Sequence, residues 1–409
     1  MGCKLNQAET ERLTRELLEA GHVVVDTRED ADVYILNTCT VTGTADAKCR
    51  AWLTQAHRTN PEARLVITGC YAQRMPEELA RMAGVSAVAG NEQKPELLKL
   101  LRSLDIRSSP VPENAVSTPQ RTRSFIKIQD GCDRACAYCI VPRVRGLEKS
   151  LPADDIVADV LSRTAEGYRE VVLTGTEVGT YREEVDLGGL LHRVLAETGI
   201  SRVRLSSLQP PEVTPELLRV WQNERMCPHF HLSLQSGSDS VLRRMKRGYS
   251  TADFGRVVKM IRDSVPDASV TTDVIVGFPG ESESEFGESL DFCRSTGFAG
   301  IHVFPYSSRP GTEAAVMAGQ VAIGVKRLRS QKMLALSRDS ADAFRRQFVG
   351  RTMAVLWERS KAEGLWSGLT GNYIKVVTKS DQDLWNKLSP AKITRLNGGA
   401  MSGGRGDFT

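Results

Sequence analysis

Cys132, Cys136 and Cys139 lie in the run Asp130-Gly131-Cys132-Asp133-Arg134-Ala135-Cys136-Ala137-Tyr138-Cys139, a C-x3-C-x2-C spacing. Three thiolates in so short a loop can hold one iron–sulfur cluster but leave its fourth iron without a protein ligand. An iron with an open position is where a second molecule can bind and react. The competing assignment is a structural zinc site. That usually takes four protein ligands in two pairs, and no fourth Cys or His lies close by in the chain.

A second set of thiols is spread through the first hundred residues. Cys39 follows the apolar run Val33-Tyr34-Ile35-Leu36, and Cys70 follows Leu65-Val66-Ile67-Thr68. If those runs are parallel strands, both cysteines leave the sheet at its C-terminal edge, where open α/β sheets place ligands. Cys3 precedes a helical pattern and belongs at the same edge. Three thiolates converging there would hold a second cluster with one iron open; the alternative is three unrelated buried cysteines. Cys49, Cys227 and Cys293 read as core residues, Cys293 sharing a helix face with Phe286 and Leu290.

The chain that must position these groups has 409 residues, 25% of them charged and 41% hydrophobic. That is globular composition with room for about two to four domains. No run of ~18 apolar residues predicts a membrane span, and no signal-peptide pattern precedes the first helix. Nine cysteines without an export signal point to a reducing, cytoplasmic compartment, where closely spaced thiols are more often metal ligands than disulfides. Net charge is +4 but uneven: residues 346–409 carry +5 and the rest sums to −1. A small basic segment at that end suggests a polyanion partner.

Residues 1–105 alternate helical and strand patterns. Asn6 with Glu9 reads as a helix N-cap and its capping-box partner, with Leu13, Leu17 and Leu18 as the buried face. The runs His22–Val25, Val33–Leu36 and Leu65–Ile67 read as strands of a parallel α/β sheet. Residues 106–122, rich in Pro and Ser, read as a linker. From 123 to 347 the βα alternation restarts with a longer period. Six candidate strands (Phe125–Gln129, Glu170–Gly175, Arg202–Ser207, Phe230–Gln235, Val270–Phe278 and Gly300–Ser307) suggest a partial TIM-like barrel, whose chemistry sits on loops after the strand C-termini. Residues 348–397 read as a small five-stranded barrel from Met353–Glu358, Tyr373–Thr378, Ala391–Leu396 and the turns between them. The Gly-rich end, 398–409, reads as disordered.

Taken together these residues resemble the methylthiotransferases, a family of radical S-adenosylmethionine enzymes. The similarity runs through Gly2-Cys3-Lys4-Leu5-Asn6-Gln7, Asn37–Thr42, Thr68–Gln73 and the Cys132 loop with Cys139–Gly146. It continues through His231–Ser238, Asp273–Glu281 and Tyr306–Thr312. The C-terminal β segment looks like the family's TRAM domain, a small RNA-binding barrel. Only Met1 and Gly2 precede Cys3, where the family carries a strand; either the chain starts further upstream or this sheet lacks one.

The resemblance implies two 4Fe-4S clusters. The one on Cys132, Cys136 and Cys139 would bind S-adenosylmethionine and cleave it to a radical that takes hydrogen from the substrate carbon. The one on Cys3, Cys39 and Cys70 would carry or supply the sulfur that is methylated and inserted. Tyr138, Thr174, Gly175, Glu177, Gln235, Ile275 and Gly277 would line the S-adenosylmethionine site. Since both clusters must act on one substrate, the two domains are expected to meet edge to edge. Arg359, Lys361 and Lys375, among the aromatics Trp357, Trp366 and Tyr373, would contact RNA by phosphate pairing and stacking. Within the family the opening Gly-Cys-Lys-x-Asn-Gln looks like the tRNA N6-threonylcarbamoyladenosine subgroup; the isopentenyladenosine and ribosomal-protein aspartate subgroups are the alternatives. The implied partners are tRNA and a flavodoxin- or ferredoxin-like electron donor, with no DNA and no membrane.

Overall fold

The computed structural model describes residues 2–25, 31–104, 121–358, 364–397 and 399–404. Its compact packing divides the chain into two bodies. The first comprises Met1–Thr118, Gln129–Lys149 and Ser307–Ala315; the second comprises Pro119–Ile128, Ser150–Tyr306 and Val316–Thr409. The Cys132 loop was expected to face Cys3, Cys39 and Cys70 across a domain junction. It belongs to the same compact body as they do.

In the first body, strands β1 (Val33–Thr38), β2 (Arg64–Gly69) and β3 (Val85–Ala89) form a parallel sheet in the order β1-β2-β3. Its two faces are covered differently. Tyr34, Leu36, Leu65 and Ile67 pack with Leu53 and Ala56 of the helix Gly43–Thr59. Val66 and Ala89 pack with Leu13 of the helix Lys4–Glu19 and with Leu97 and Leu101. Fully buried parallel strands are apolar on both faces, which is why β1 and β2 show as continuous runs.

The run His22–Val25 is not a strand: it lies outside any ladder, and Val23, Val24 and Val25 are exposed. β-branched residues favour strands only where the pleat can be buried against a neighbour, and here none is offered. β3, with the small residues Ser86, Ala87 and Ala89, gave too weak an apolar signal to be anticipated.

In the second body, β4 (Arg123–Lys127), β5 (Glu170–Thr174) and β6 (Arg202–Leu205) form one parallel sheet. A second is formed by β7 (His229–Gln235), β8 (Ser269–Val276) and β9 (Gly300–Pro305). Parallel bridges Val203↔Met226 and Leu208↔Leu232 connect the two into a six-stranded arc. Alternate residues (Ile126, Val171, Leu173, Val203, Leu205, Leu232, Leu234, Val274) enter one large apolar core with the covering helices. The intervening residues therefore share the other face.

A closed five-stranded barrel follows: β10 (Thr352–Glu358), β11 (Leu365–Thr370), β12 (Lys375–Lys379), β13 (Leu388–Asn397) and β14 (Ala400–Gly404), in the order β10-β11-β12-β14-β13. β14 comes from the Gly-rich end expected to be disordered. It pairs with both β12 and β13, and Met401 is fully buried. Residues 405–409, and nearly all of the expected linker 106–122, lie outside the described residues.

The small barrel is fastened to the arc by buried arginines. Arg204 forks onto Glu170, with Nε 2.8 Å from Oε1 and neither side chain exposed. It also donates to the Gly371 carbonyl at 2.8 Å and lies 4.3 Å from the Tyr373 ring centroid. Arg202 donates to the carbonyls of Leu369 and Ala354, at 3.1 and 2.6 Å. Burial works against the Glu170 carboxylate, but the Arg204 charge and hydrogen bonds, with Arg123 and Arg202 nearby, hold it below the usual carboxylate range. Such a pair is costly to bury and more costly to break.

Candidate functional site: two thiol triads in one compact body

Parallel register sets Thr38 beside Gly69. Cys39 and Cys70 are the next residues on adjacent strands and leave the sheet side by side. Gly69 makes the turn: its φ is +96°, and a Cβ there would lie 2.5 Å from the Thr38 carbonyl oxygen and from Asn37 Oδ1. The Thr38 hydroxyl donates to the Thr68 carbonyl at 2.6 Å and accepts from the N–H groups of Tyr71 and Ala72 at 3.2 and 3.3 Å. It thereby fixes the helix Cys70–Arg74 that begins at the ligand candidate.

Gly69→Ala is expected to cost about 1–3 kcal/mol from the strained backbone and to push Cys70 off this edge. Iron bound after anaerobic reconstitution should fall from about eight to about four atoms per chain. Full iron loading with an unchanged melting temperature would contradict this.

Cys3 is the residue immediately before the helix Lys4–Glu19. Asn6, read from sequence as the N-cap, is instead inside the helix and buried. Its Nδ2 donates to the Thr38 carbonyl at 2.8 Å, and Asn37 Nδ2 returns a bond to the Asn6 carbonyl at 3.0 Å. This pair ties the start of the helix to the end of β1 and brings Cys3 to Cys39 and Cys70. The Cys3 thiol also lies 3.1 Å from Asn6 Oδ1.

The three thiols are close enough to act on one another electrostatically. Cys39 is pushed up to about 12, first by burial and then by Cys3 and Cys70. Cys3 is exposed at the surface, yet the atoms packed around its thiol raise it, partly offset by the Arg145 guanidinium, with a further rise from Cys70. Burial and the neighbouring thiols thus favour the protonated form of Cys39. A bound metal supplies the positive charge that deprotonates thiols, so the donor set suits an iron–sulfur cluster held by three residues.

Cys132, Cys136 and Cys139 share a non-helical loop. Gly131 opens it at φ +71°, and a Cβ there would collide with the Leu147 carbonyl oxygen. The Cys132 N–H donates to the Gly146 carbonyl at 3.2 Å, the Cys139 N–H to the Cys136 carbonyl at 3.0 Å, and the Ala314 N–H to the Ala137 carbonyl at 2.7 Å. None of the nine cysteines is in a disulfide. The three predicted as core, Cys49, Cys227 and Cys293, are buried.

The short helix Val141–Arg145 joins the two triads, and its role was not anticipated from sequence. Ile140 and Val144 pack on Cys70, and the Val144 carbonyl accepts from Asn91 Nδ2 at 2.6 Å. Arg145, 3% exposed, reaches Glu9 Oε1 at 3.0 Å, Asp130 Oδ1 at 2.9 Å and Asn6 Oδ1 at 3.0 Å. Lys94 closes on Glu9 Oε2 at 2.6 Å. Glu9 is therefore the hub of a buried ion network rather than a capping-box partner. Burial opposes the Arg145 charge, but Cys70, Glu9 and Asp130 outweigh it and bind its proton more tightly than usual.

A second network lies beyond Cys39. Asp46 accepts from Arg74 and Arg309, each at 2.6 Å, and from the Thr40 hydroxyl at 2.6 Å. The only sequence signals for either network were Arg and Asp residues inside otherwise apolar motifs.

Of the residues expected around S-adenosylmethionine, Tyr138 stands in the cysteine loop of the first body; the others end strands of the second. Thr174 is buried at the end of β5, and its carbonyl accepts from Ile128 N–H at 2.9 Å. Gly175 follows it, and the buried Glu177 accepts from Gln209 Nε2. Gln235 ends β7 with φ +69°, unusual for a residue other than glycine. Ile275 precedes Gly277, whose φ is +73° and whose N–H donates to Glu281 Oε2 at 2.5 Å. Arg329 holds that carboxylate at 2.7 Å.

For the RNA residues, Lys375 opens β12 and is exposed; Arg359 and Lys361 lie outside the described residues. The aromatics are committed elsewhere. Trp357 is in the barrel core and donates to Ser389 Oγ at 2.8 Å, Trp366 donates to the Ser380 carbonyl at 3.1 Å, and Tyr373 stacks on His229 at 4.7 Å.

Residues 126–293 match the radical SAM superfamily, and residues 1–90 match the uncharacterized protein family UPF0004. The threonylcarbamoyladenosine tRNA methylthiotransferase MtaB of Bacillus subtilis (strain 168) is 36% identical, the alignment covering 97% of this chain and 92% of that protein. The tRNA-2-methylthio-N(6)-dimethylallyladenosine synthase of Sorangium cellulosum (strain So ce56) is 34% identical over 97% of this chain and 90% of its own length. Among solved structures, the radical S-adenosylmethionine methyltransferase TsrM of Kitasatospora setae superposes with a TM-score of 0.53 at 16% identity. It covers 69% of this chain and 65% of its own, a likeness of fold.

Proposed function

The chain belongs to the methylthiotransferase family of radical S-adenosylmethionine enzymes, and from that premise we propose that it inserts a methylthio group at C2 of N6-threonylcarbamoyladenosine beside the anticodon of tRNA. The observation that supports the reading is that Cys3, Cys39 and Cys70, close enough to act on one another electrostatically, share one compact body with the Cys132, Cys136 and Cys139 loop, with Arg145 between Glu9 and Asp130. Support for the substrate comes from the B. subtilis relative's activity on threonylcarbamoyladenosine. tRNA and a flavodoxin- or ferredoxin-like reductant are the partners this chemistry requires, and the cytoplasm is where both would be met. No helix among the described residues is long and apolar enough to cross a membrane.

Cys132, Cys136 and Cys139 would hold one 4Fe-4S cluster and Cys3, Cys39 and Cys70 the other. When bound, the first supplies the electron that cleaves S-adenosylmethionine and the second carries the sulfur to be transferred. The protein's own part is positional. Gly69 and Gly131 let the thiol loops turn sharply, and Arg145 sets a fixed positive charge beside Cys3 and Cys70. Thr174, Gly175, Glu177, Gln235, Ile275 and Gly277 would contact S-adenosylmethionine from the strand ends, and Tyr138 would do so as part of the thiol loop. Lys375, with Arg359 and Lys361, would pair with RNA phosphates.

The test is anaerobic turnover on undermodified tRNA followed by nucleoside mass spectrometry. The methylthio product should form on threonylcarbamoyladenosine. Product only on isopentenyladenosine, or only on a ribosomal protein, would reassign the substrate.

A further inference from the structure

On the face of the strand arc turned away from the helices, one cluster is absorbed by none of the roles above. His231 on β7, Asp273 on β8 and His302 on β9 bring one ligand atom each within 4.8 Å of one another. His231 Nε2 lies 3.2 Å from Asp273 Oδ2, and His302 Nδ1 lies 3.2 Å from Asp273 Oδ1. The rings stack at 5.3 Å and 26°. His231 is fixed from behind by the Thr271 hydroxyl, 3.0 Å from its Nδ1. His302 is different: its side chain is 63% exposed, and with Nδ1 engaged on Asp273 its second ring nitrogen, Nε2, is the one a ligand would use. The Asp273 carboxylate is opposed by burial, but the hydrogen bonds and charges of the two imidazoles prevail and hold it well below the usual range.

The donor set alone would also suit a divalent cation. The surrounding charge argues for an anion. On the same face of the six strands stand Arg123, Lys127, Arg202 and Arg204 against the carboxylates Glu170 and Asp273, with Glu358 of the small barrel 2.7 Å from Arg123 as the third. An imidazole that gives Nδ1–H to one carboxylate can give Nε2–H to a second, taking one proton from solvent as the second arrives. The result is a carboxylate–imidazolium–carboxylate bridge made of charge-assisted hydrogen bonds.

We propose that His302, braced by Asp273 and His231, receives the carboxylate of the threonylcarbamoyl substituent and is the residue that separates an acidic N6 substituent from a neutral one. This rests on the substrate reading above and deepens it. A site built to hydrogen-bond a group rejects analogues lacking it far more strongly than an apolar pocket rejects a misfit. In Asp273 and His231 the strands supply fixed partners that keep the ring from swinging.

The experiment uses the full-length reconstituted enzyme with three anticodon stem-loop RNAs. One carries threonylcarbamoyladenosine, one its threonyl methyl ester, and one isopentenyladenosine. His302→Ala should lower kcat/KM on the acid by about 10- to 100-fold, the range for losing a hydrogen bond to a charged group, mainly through KM. The acid-to-ester preference should collapse toward one. His302→Gln, which keeps a neutral N–H, should recover part of the KM loss. Circular dichroism and iron content report whether each variant is folded and loaded, and Asp273→Asn offers a second route to the same loss of preference.

An acid-to-ester ratio unchanged in folded His302→Ala and Asp273→Asn overturns the proposal while leaving the substrate reading intact. Equal losses on all three RNAs would mean a backbone phosphate contact and also overturn it. A zinc or manganese ion bound stoichiometrically by the wild type and lost in His302→Ala would make this a cation site instead. Wild-type enzyme inactive on the acid but active on isopentenyladenosine would remove the substrate reading itself, and this inference with it.

Discussion

Cys136→Ala will stop formation of 5′-deoxyadenosine from S-adenosylmethionine, whereas Cys39→Ala will spare it and stop methylthiolation. Each variant should bind about four irons in place of about eight. The asymmetry follows from placement. Cys136 is in the loop closed by Gly131 and the Cys132-to-Gly146 bond, and Cys39 is at the end of β1. Neither triad has a fourth thiol to substitute for a lost one. The remaining free thiols, Cys49, Cys227 and Cys293, are buried core residues. Iron analysis with anaerobic product chromatography decides the matter. Loss of deoxyadenosine in a folded, half-loaded Cys39→Ala protein would show that the triads do not have separable roles.

Replacing Arg145 by methionine should destabilise the first body by about 3–5 kcal/mol, the usual cost of removing one partner from a buried ion pair. Arg145 contacts Glu9, Asp130 and Asn6 together. Without it Lys94 still pairs with Glu9, but Asp130 loses this partner. Arg145→Lys should recover only part of the loss, because a point-like ammonium cannot fork between two carboxylates. A denaturant titration should show the drop, and iron content should fall as Cys3 and Cys70 lose their common cation. An unaltered midpoint and full iron loading in Arg145→Met would dismiss this residue as the link between the triads.

What the sequence made legible was the part that repeats or clusters locally. Strand runs of period two and continuous apolar runs located β1, β2 and the six strands of the arc. Cysteines directly after two of those runs were enough to indicate a shared sheet edge. The rest was hidden for identifiable reasons. Arg145 meets Glu9 across 136 positions, and a buried ion pair of that separation leaves no periodic trace. Asn6 and Glu9 satisfy a capping pattern because residues three apart on a helix share a face; here that face is buried rather than terminal. β14 was missed because its Gly-rich composition carries little strand propensity, and its partners on β12 are more than twenty residues earlier in the chain. Trp357 and Trp366 read as candidates for base stacking because an aromatic among basic residues looks the same in sequence whether it points outward or fills a barrel.

Arg202 and Arg204 clasp the small barrel by three of its carbonyl oxygens. A module on a slack tether raises local concentration and lets its cargo wander; one bolted to the masonry of the next fold acts as a caliper. RNA gripped on that barrel would be presented at one set reach from the strand arc, so that stem length, and not merely the letters of a loop, would decide which nucleoside is offered for reaction.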